Sequence, residues 1–260
     1  MGILTRAVGL GIVLTIGHAS ALFADPILVT DNRGVFALAL IGAQFPTPDL
    51  QTPSAPFAPF DGLALGSVVD GVMSAHTVAN QQSSFGSALW SASGSVDSSA
   101  TGSEESLDPA FTAGSSLFDV EFDLAGPHRF SLTGLMGVNR LEESPGSGGF
   151  GEVDFSLVTQ SLSGQILVVG DGLRFGSREV NFSGILPGGR HRLFAEAFTE
   201  SVSNGALARH TPSFDLEFAL TPVPEPGTWL LLGGGLLALA SKRLTAGMRR
   251  VKCRSDGRHF

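Results

Sequence analysis

The chain has 260 residues, 43% hydrophobic and 15% charged, with 34 Gly, 14 Pro, one Cys and no Tyr. Its formal charge of -8 averages two unlike parts: residues 25–221 hold 22 acidic and 8 basic side chains, all eight Arg, whereas seven Lys/Arg crowd into the residues beyond Ala240. A body near -14 lacks the basic stripe that neutralises phosphates, which excludes a nucleic-acid partner, and the lone Cys253 excludes a disulfide framework or a Cys-rich metal site.

At the N-terminus, Arg6 precedes an apolar run over residues 7–16, then a small-residue site with Ala19 and Ala21. One positive residue, a short apolar stretch and an A-x-A site predict a secretory signal peptide over residues 1–24, cleaved after Ala21 or Ala24. Residues 25–221 form the exported body.

Within the body, residues 35–41 read as a buried strand or a short helix. In the Pro-rich segment 45–60, Pro46, Pro48, Pro53, Pro56 and Pro59 are too dense for a helix, which predicts an extended loop or an edge segment. Residues 83–116 hold 12 Ser in 34 positions and read as a flexible loop or weak strands. From there the pattern sharpens. Phe118, Val120, Phe122 and Leu124 alternate with Asp119, Glu121 and Asp123, the period of two of a half-buried strand. Further strands are predicted over 130–135, 153–158, 165–169, 179–182, 192–198 and 214–220, separated by Gly, Pro and Asn turns. Short strands without amphipathic helices, with 17 Phe to fill a core, predict an all-β antiparallel sandwich of jelly-roll-like form.

Residues 118–124 and 214–220 match at five of seven positions, an echo read as convergent strand patterning, with an internal duplication as the rival. The second copy stops one residue before Thr221-Pro222, so the last strand is expected to run straight into the C-terminal segment and to place a membrane tether at one edge of the sandwich.

That segment reads Pro222-Val223-Pro224-Glu225-Pro226-Gly227, then an apolar run over 228–240, then Ser241-Lys242-Arg243 and a basic tail over 244–260. Thirteen residues make about 20 Å of helix, short of the roughly 30 Å hydrocarbon core. Trp229 at one end and Lys242 with Arg243 at the other supply interfacial anchors, which predicts a short transmembrane helix with its tail in the cytoplasm.

Val223-Pro224-Glu225-Pro226, a Leu/Gly helix and a basic end together resemble the PEP-CTERM sorting signal of exosortase-processed bacterial surface proteins, over roughly residues 222–243. The resemblance implies recognition of Pro224-Glu225-Pro226 by a membrane-embedded, Cys-dependent protease or transpeptidase, a Gram-negative host, and a body held in the membrane before release to the cell surface. Residues before proline avoid the helical region, so Val223 and Glu225 are held extended, as a protease cleft prefers its substrate. The long tail departs from the family, whose members usually stop soon after the first basic cluster.

For chemistry in the body, the expectation is a non-catalytic surface or matrix protein with no catalytic, cofactor or metal site. Asp119, Glu121 and Asp123, with Asp154, Asp215 and Glu217 expected on neighbouring strands, read as a solvated outer face; weak Ca²⁺ binding is the rival. His76, His128, His191 and His210 show no paired metal spacing and are expected at surface or turn positions. No G-x-S-x-G occurs, and the G-x-G-x-x-A match over 233–238 falls inside the membrane segment. The alternative function is a carbohydrate-binding module acting on extracellular polysaccharide, with Trp90 as a sugar platform and packing of Trp90 into the sandwich as the rival.

Overall fold

A computed structural model describes residues 25–44, 46–105, 108–142, 147–161 and 164–223. Thirteen strands follow one another: β1 (Ile27–Asp31), β2 (Gly34–Ile41), β3 (Asp49–Gln51), β4 (Phe60–Asp70), β5 (Met73–Phe85), β6 (Leu89–Thr101), β7 (Ala110–Leu124), β8 (His128–Glu142), β9 (Ser147–Ser161), β10 (Gly164–Leu173), β11 (Gly176–Leu186), β12 (Gly189–Ser203) and β13 (Leu207–Pro222). They form two sheets. The first runs β10-β9-β12-β7-β2-β3, with β1 also on β7; the second runs β11-β8-β13-β6-β5-β4.

The pairings from β6 onward are nested hairpins: β9 with β10, β8 with β11, β7 with β12 and β6 with β13, all antiparallel. Successive pairs alternate between the two sheets, which is the strand order of an eight-stranded jelly roll. The earlier strands widen it, β2 and β3 on the first sheet, β4 and β5 on the second. Contacts group Ala24–Thr221 into one unit.

Residues 35–41 are a strand, paired with β7 and β3. The Pro-rich segment supplies the three-residue edge strand β3 and then a loop. The Ser-rich stretch is neither loop nor weak strand: it runs from the end of β5 through all of β6 into β7, in the middle of both sheets. Its inward positions are small. Ala92, Gly94, Val96, Ser98 and Ala100 point into the sandwich while Ser91, Ser93, Ser95 and Ser99 point out. A side chain at Gly94 would collide with Ser116 Oγ and the Phe214 ring from the facing and neighbouring strands. Serine content hid the alternation, because Ser occupies both faces.

The core between the sheets contains Phe118, Phe122, Phe130, Phe155, Phe214 and Phe218, together with Trp90. The two echoing segments lie in opposite sheets, and their matched residues Phe122 and Phe218 meet across the core with ring centroids 5.8 Å apart. The two matched strands thus meet the same packing demand from opposite sheets. β13 lies between β8 and β6 in the interior of its sheet, so the chain runs into the C-terminal segment from a central strand.

Candidate functional site

Strand β13 buries Phe214, Leu216, Phe218 and Leu220 in alternation, and the Leu220 amide donates to the Ala88 carbonyl at 2.8 Å. Thr221 is exposed and the strand ends at Pro222, which has no amide hydrogen to continue a ladder. Core packing thus continues to the residue next to Thr221-Pro222, with no spacer. Of the expected sorting and anchor residues, Val223 is described and is half-buried. Pro224, Glu225, Pro226, Trp229, Lys242 and Arg243 lie outside the described residues, as do the predicted signal peptide and the span 228–240. Among the described residues no helix is long and apolar enough to cross a membrane.

The acidic residues do not share one surface. Glu121, Asp123 and Asp154 face outward from the first sheet, and Asp119, expected to be solvated, is 5% exposed beneath Arg192; Asp215 and Glu217 belong to β13 in the second. On the first sheet the carboxylates are largely partnered. Arg192 holds Asp119 through two bonds of 2.6 and 2.8 Å, and Arg190 holds Asp123 through two of 3.0 and 3.1 Å. Glu121 accepts from Thr30 and Gln160. The Arg190 hydrogen bonds pull the Asp123 carboxyl below its ordinary value. Burial, reinforced by the Glu152 charge, pushes that of Asp154 up. Among the described residues no three His, Cys, Asp or Glu side chains are grouped to hold a metal ion.

Trp90 is 2% exposed, with its ring against Phe85, Phe122 and Phe218 and its Nε1–H donating to the Gly86 carbonyl at 3.1 Å. It is a packing residue with its polar atom satisfied, not a platform for sugars. A shallow recess does open on the outer face of the second sheet. Asn80, Ser93, Ser95, Ser213, Asp215 and Leu135 line it, above Gly94 and Phe214.

Three histidines lie inside the sandwich, against the expectation of surface positions. His128 is 2% exposed, and His191 and His210 are fully buried. Each ring finds local acceptors or hydroxyls, which short-range sequence spacing does not reveal. His191 donates from Nε2 to the Pro187 carbonyl at 3.0 Å, leaving Nδ1 to accept from Thr159. His210 Nδ1 lies 2.8 Å from Ser201 Oγ, which in turn bonds Ser98 at 3.1 Å, and Ser98 bonds Thr112. Burial drives both His191 and His210 below the ordinary histidine value. His210 Nε2 points toward Glu142 at 3.5 Å. Ser201, His210 and Glu142 imitate a hydrolase triad in composition only. The serine is fully buried, and it meets Nδ1 with the acid at Nε2, the reverse of the working arrangement.

Sequence reasoning missed the Asp31–Arg33 clamp. Arg33 is fully buried, and its guanidinium takes both Asp31 oxygens at 2.7 Å, Ser83 Oγ at 2.8 Å and the Ala58 carbonyl at 2.8 Å. The Phe85 ring covers it at 4.6 Å. Asp31 also accepts the Phe57 amide at 2.6 Å, holding Phe57 at φ 61°, a left-handed conformation that non-glycine residues seldom adopt. Burial opposes the charge on Asp31, but the Arg33 and Phe57 donors outweigh it and hold the carboxyl below its usual value. The clamp pins the Pro-rich loop to the sandwich. The available signal was Arg33 itself, the first arginine of the body, separated by one residue from an aspartate and far from the next arginine, Arg129.

A family model described as the PEP-CTERM protein-sorting motif matches residues 222–243. The chain thus carries that motif, beginning at the last residue of β13, and the motif supports an exported, exosortase-sorted protein. No curated protein matches the chain. A structure of the infectious bursal disease virus Gx strain aligns with 10% identity over 80% of this chain and 70% of that one, at a TM-score of 0.17. So slight a likeness carries no argument about the fold, which rests on the strand order.

Proposed function

We propose that the protein is a non-catalytic, exported cell-surface or extracellular-matrix protein. Its jelly-roll body is delivered by an exosortase acting at Val223-Pro224-Glu225-Pro226, while the segment 228–240, flanked by Trp229, Lys242 and Arg243, holds it in a Gram-negative membrane. The observation that carries this reading is the direct junction between β13 and the motif. Placing the motif one residue after Leu220, which is 3% exposed, gives the enzyme a folded body and an extended, proline-held substrate in close succession. Among the described residues, the serine and histidine of the Ser201-His210-Glu142 grouping are fully buried, and seven of the eight body arginines sit in ion pairs with carboxylates.

The test is Pro224→Ala with Pro226→Ala in the native host. The double variant is expected to accumulate in the membrane with its tail attached; unchanged surface display would sink the reading.

A second reading, binding of extracellular polysaccharide, is favoured by the recess on the second sheet, where hydroxyl, amide and carboxylate groups stand beside half-exposed Leu135. Polysaccharide retention that survives Asp215→Ala would count against it.

A further inference from the structure

A sandwich has open sheet edges, and each presents unpaired backbone groups that invite another strand. Most edges of this molecule are closed to such pairing by features of their own. Strand β3 has three residues; β1 has five, a bulge between Leu28 and Thr30, and Asp31 at its end. On β4, the Leu63 amide donates to Gln51 Oε1 and the Leu65 amide to Asp49 Oδ2, so side chains from β3 satisfy its outer groups. Strand β11 carries Arg178 and Glu179.

Strand β10 differs. Its first half reads Gln165-Ile166-Leu167-Val168-Val169, without charge or proline; the strand also has a bulge between Leu167 and Val169, and its second half carries Asp171, whose charge Arg178 meets. Ile166 and Leu167 are 54% and 62% exposed although they are adjacent. Neighbours in a strand point to opposite faces, so this part of the strand is uncovered on both. Phe175 and Ile185, 73% and 60% exposed, lie just beyond β10 and on β11.

Charge identifies the occupant. The body as a whole is strongly acidic and repels its own copies, yet residues 164–186 hold two acids, Asp171 and Glu179, and two bases, Arg174 and Arg178. Asp171 is neutralised by Arg178 at 2.6 Å. This is a neutral, apolar strand on a molecule that is acidic elsewhere. An antiparallel edge is also self-complementary about a two-fold axis, since the same strand serves both sides.

We infer that β10 pairs antiparallel with β10 of a second copy, joining the first sheets of two molecules into one continuous sheet. The dimer needs no residue beyond those of β10.

The test uses the full-length chain in detergent micelles, with protein mass read by light scattering. The wild type is expected at twice the chain mass, and Ile166→Lys with Leu167→Lys at the chain mass, because each lysine pair would face its own copy. Since the body has no cysteine, Cys253→Ser gives a silent background. Single cysteines at 165, 166, 167 and 169 are then expected to yield a disulfide-linked homodimer at one or two positions, with none at the control Ser91→Cys on the outer face of β6. A monomeric wild type overturns the inference. So does a dimer that survives the double lysine variant, cross-linking at position 91 equal to that in β10, or a cysteine adduct with a host protein in place of the homodimer.

Discussion

The two ends of the sandwich interior are held together by different means. At the end where β13 meets the sorting motif, Trp90, Phe85, Phe118, Phe122, Phe130 and Phe218 fill the gap between sheets with aromatic surface. At the other end the inward positions are Thr77, Ser98, Thr112, Thr199, Ser201 and Ser203, with His210 and a small alanine cluster. There Ser98 joins Thr112, Ser201 and His210 from three other strands in one hydrogen-bonded chain. Buried hydroxyls are tolerated only when satisfied, so this half depends on geometry where the aromatic half depends on area. One topology thus carries two kinds of core.

The sharpest way to break the contrast is to empty the aromatic end. Trp90→Ala removes the ring on which Phe85, Phe122 and Phe218 converge, and a loss of about 3–5 kcal/mol is expected by urea titration. If the variant unfolds at the wild-type midpoint, the ring is not central to the packing. Asp31→Ala tests the clamp beside it. Arg33 would be left charged, buried and short of its main acceptor, a loss of about 3–5 kcal/mol. Asp31→Ala with Arg33→Met removes the charge together with its partner and is expected to recover much of that loss. Failure of the second substitution to rescue the first would place the cost in the Pro-rich loop and not in the stranded charge.

At the hydroxyl end, Ser201→Ala leaves His210 Nδ1 and Ser98 without their shared partner. A loss of about 1–3 kcal/mol is expected from burying unsatisfied groups. A neutral result would mean that this half, too, is held by packing area alone.

How these two halves appeared in the sequence explains what was legible. The aromatic strands were readable because bulky and charged residues alternate: Phe118 to Leu124 and Phe214 to Leu220 show which side faces in, and their strands are β7 and β13. The Ser-rich strands were not, since Ser98 inside and Ser99 outside are the same residue type. The period of two is present there only as a contrast of small with small. The histidines were misjudged for a related reason: their partners, Pro187, Thr159 and Ser201, become visible only once turns and strand register bring them near. The sorting motif was legible because it is read as a linear segment. The open β10 edge emerged only from the strand order.

The buried histidines give the contrast a pH dependence. For His191 and His210 the folded value lies below the ordinary 6.5, because burial disfavours the imidazolium. As pH falls through about 6.5 the unfolded chain takes up protons first, and stability declines; above that range the histidine contribution is flat. Asp31, Asp123, Asp171 and Glu142 are held below their usual values, so their contribution is present at neutral pH and is lost only in more acidic solution. Two separate losses are therefore expected in urea midpoints measured from neutral to acidic pH. His210→Gln should weaken the first and leave the second. A midpoint that stays constant through the histidine range would show that neither ring is protected from protons in the fold.

The smallest effect is expected on the outer face of the first sheet. Arg190 and Asp123 stand opposite each other in register on β12 and β7, and both are roughly 40% exposed, so water and salt screen the pair. Its geometry is bidentate, yet exposed pairs of this kind contribute about 0.2–1 kcal/mol. A double-mutant cycle with Arg190→Ala and Asp123→Ala should give a coupling in that range that shrinks as salt is added. A larger, salt-insensitive coupling would mean that the pair is covered in solution, making the first sheet's outer face a contact surface in its own right. On the same face Arg192 pairs with Asp119. A weak coupling therefore fits a face whose arginines serve to keep a strongly acidic sheet from repelling itself.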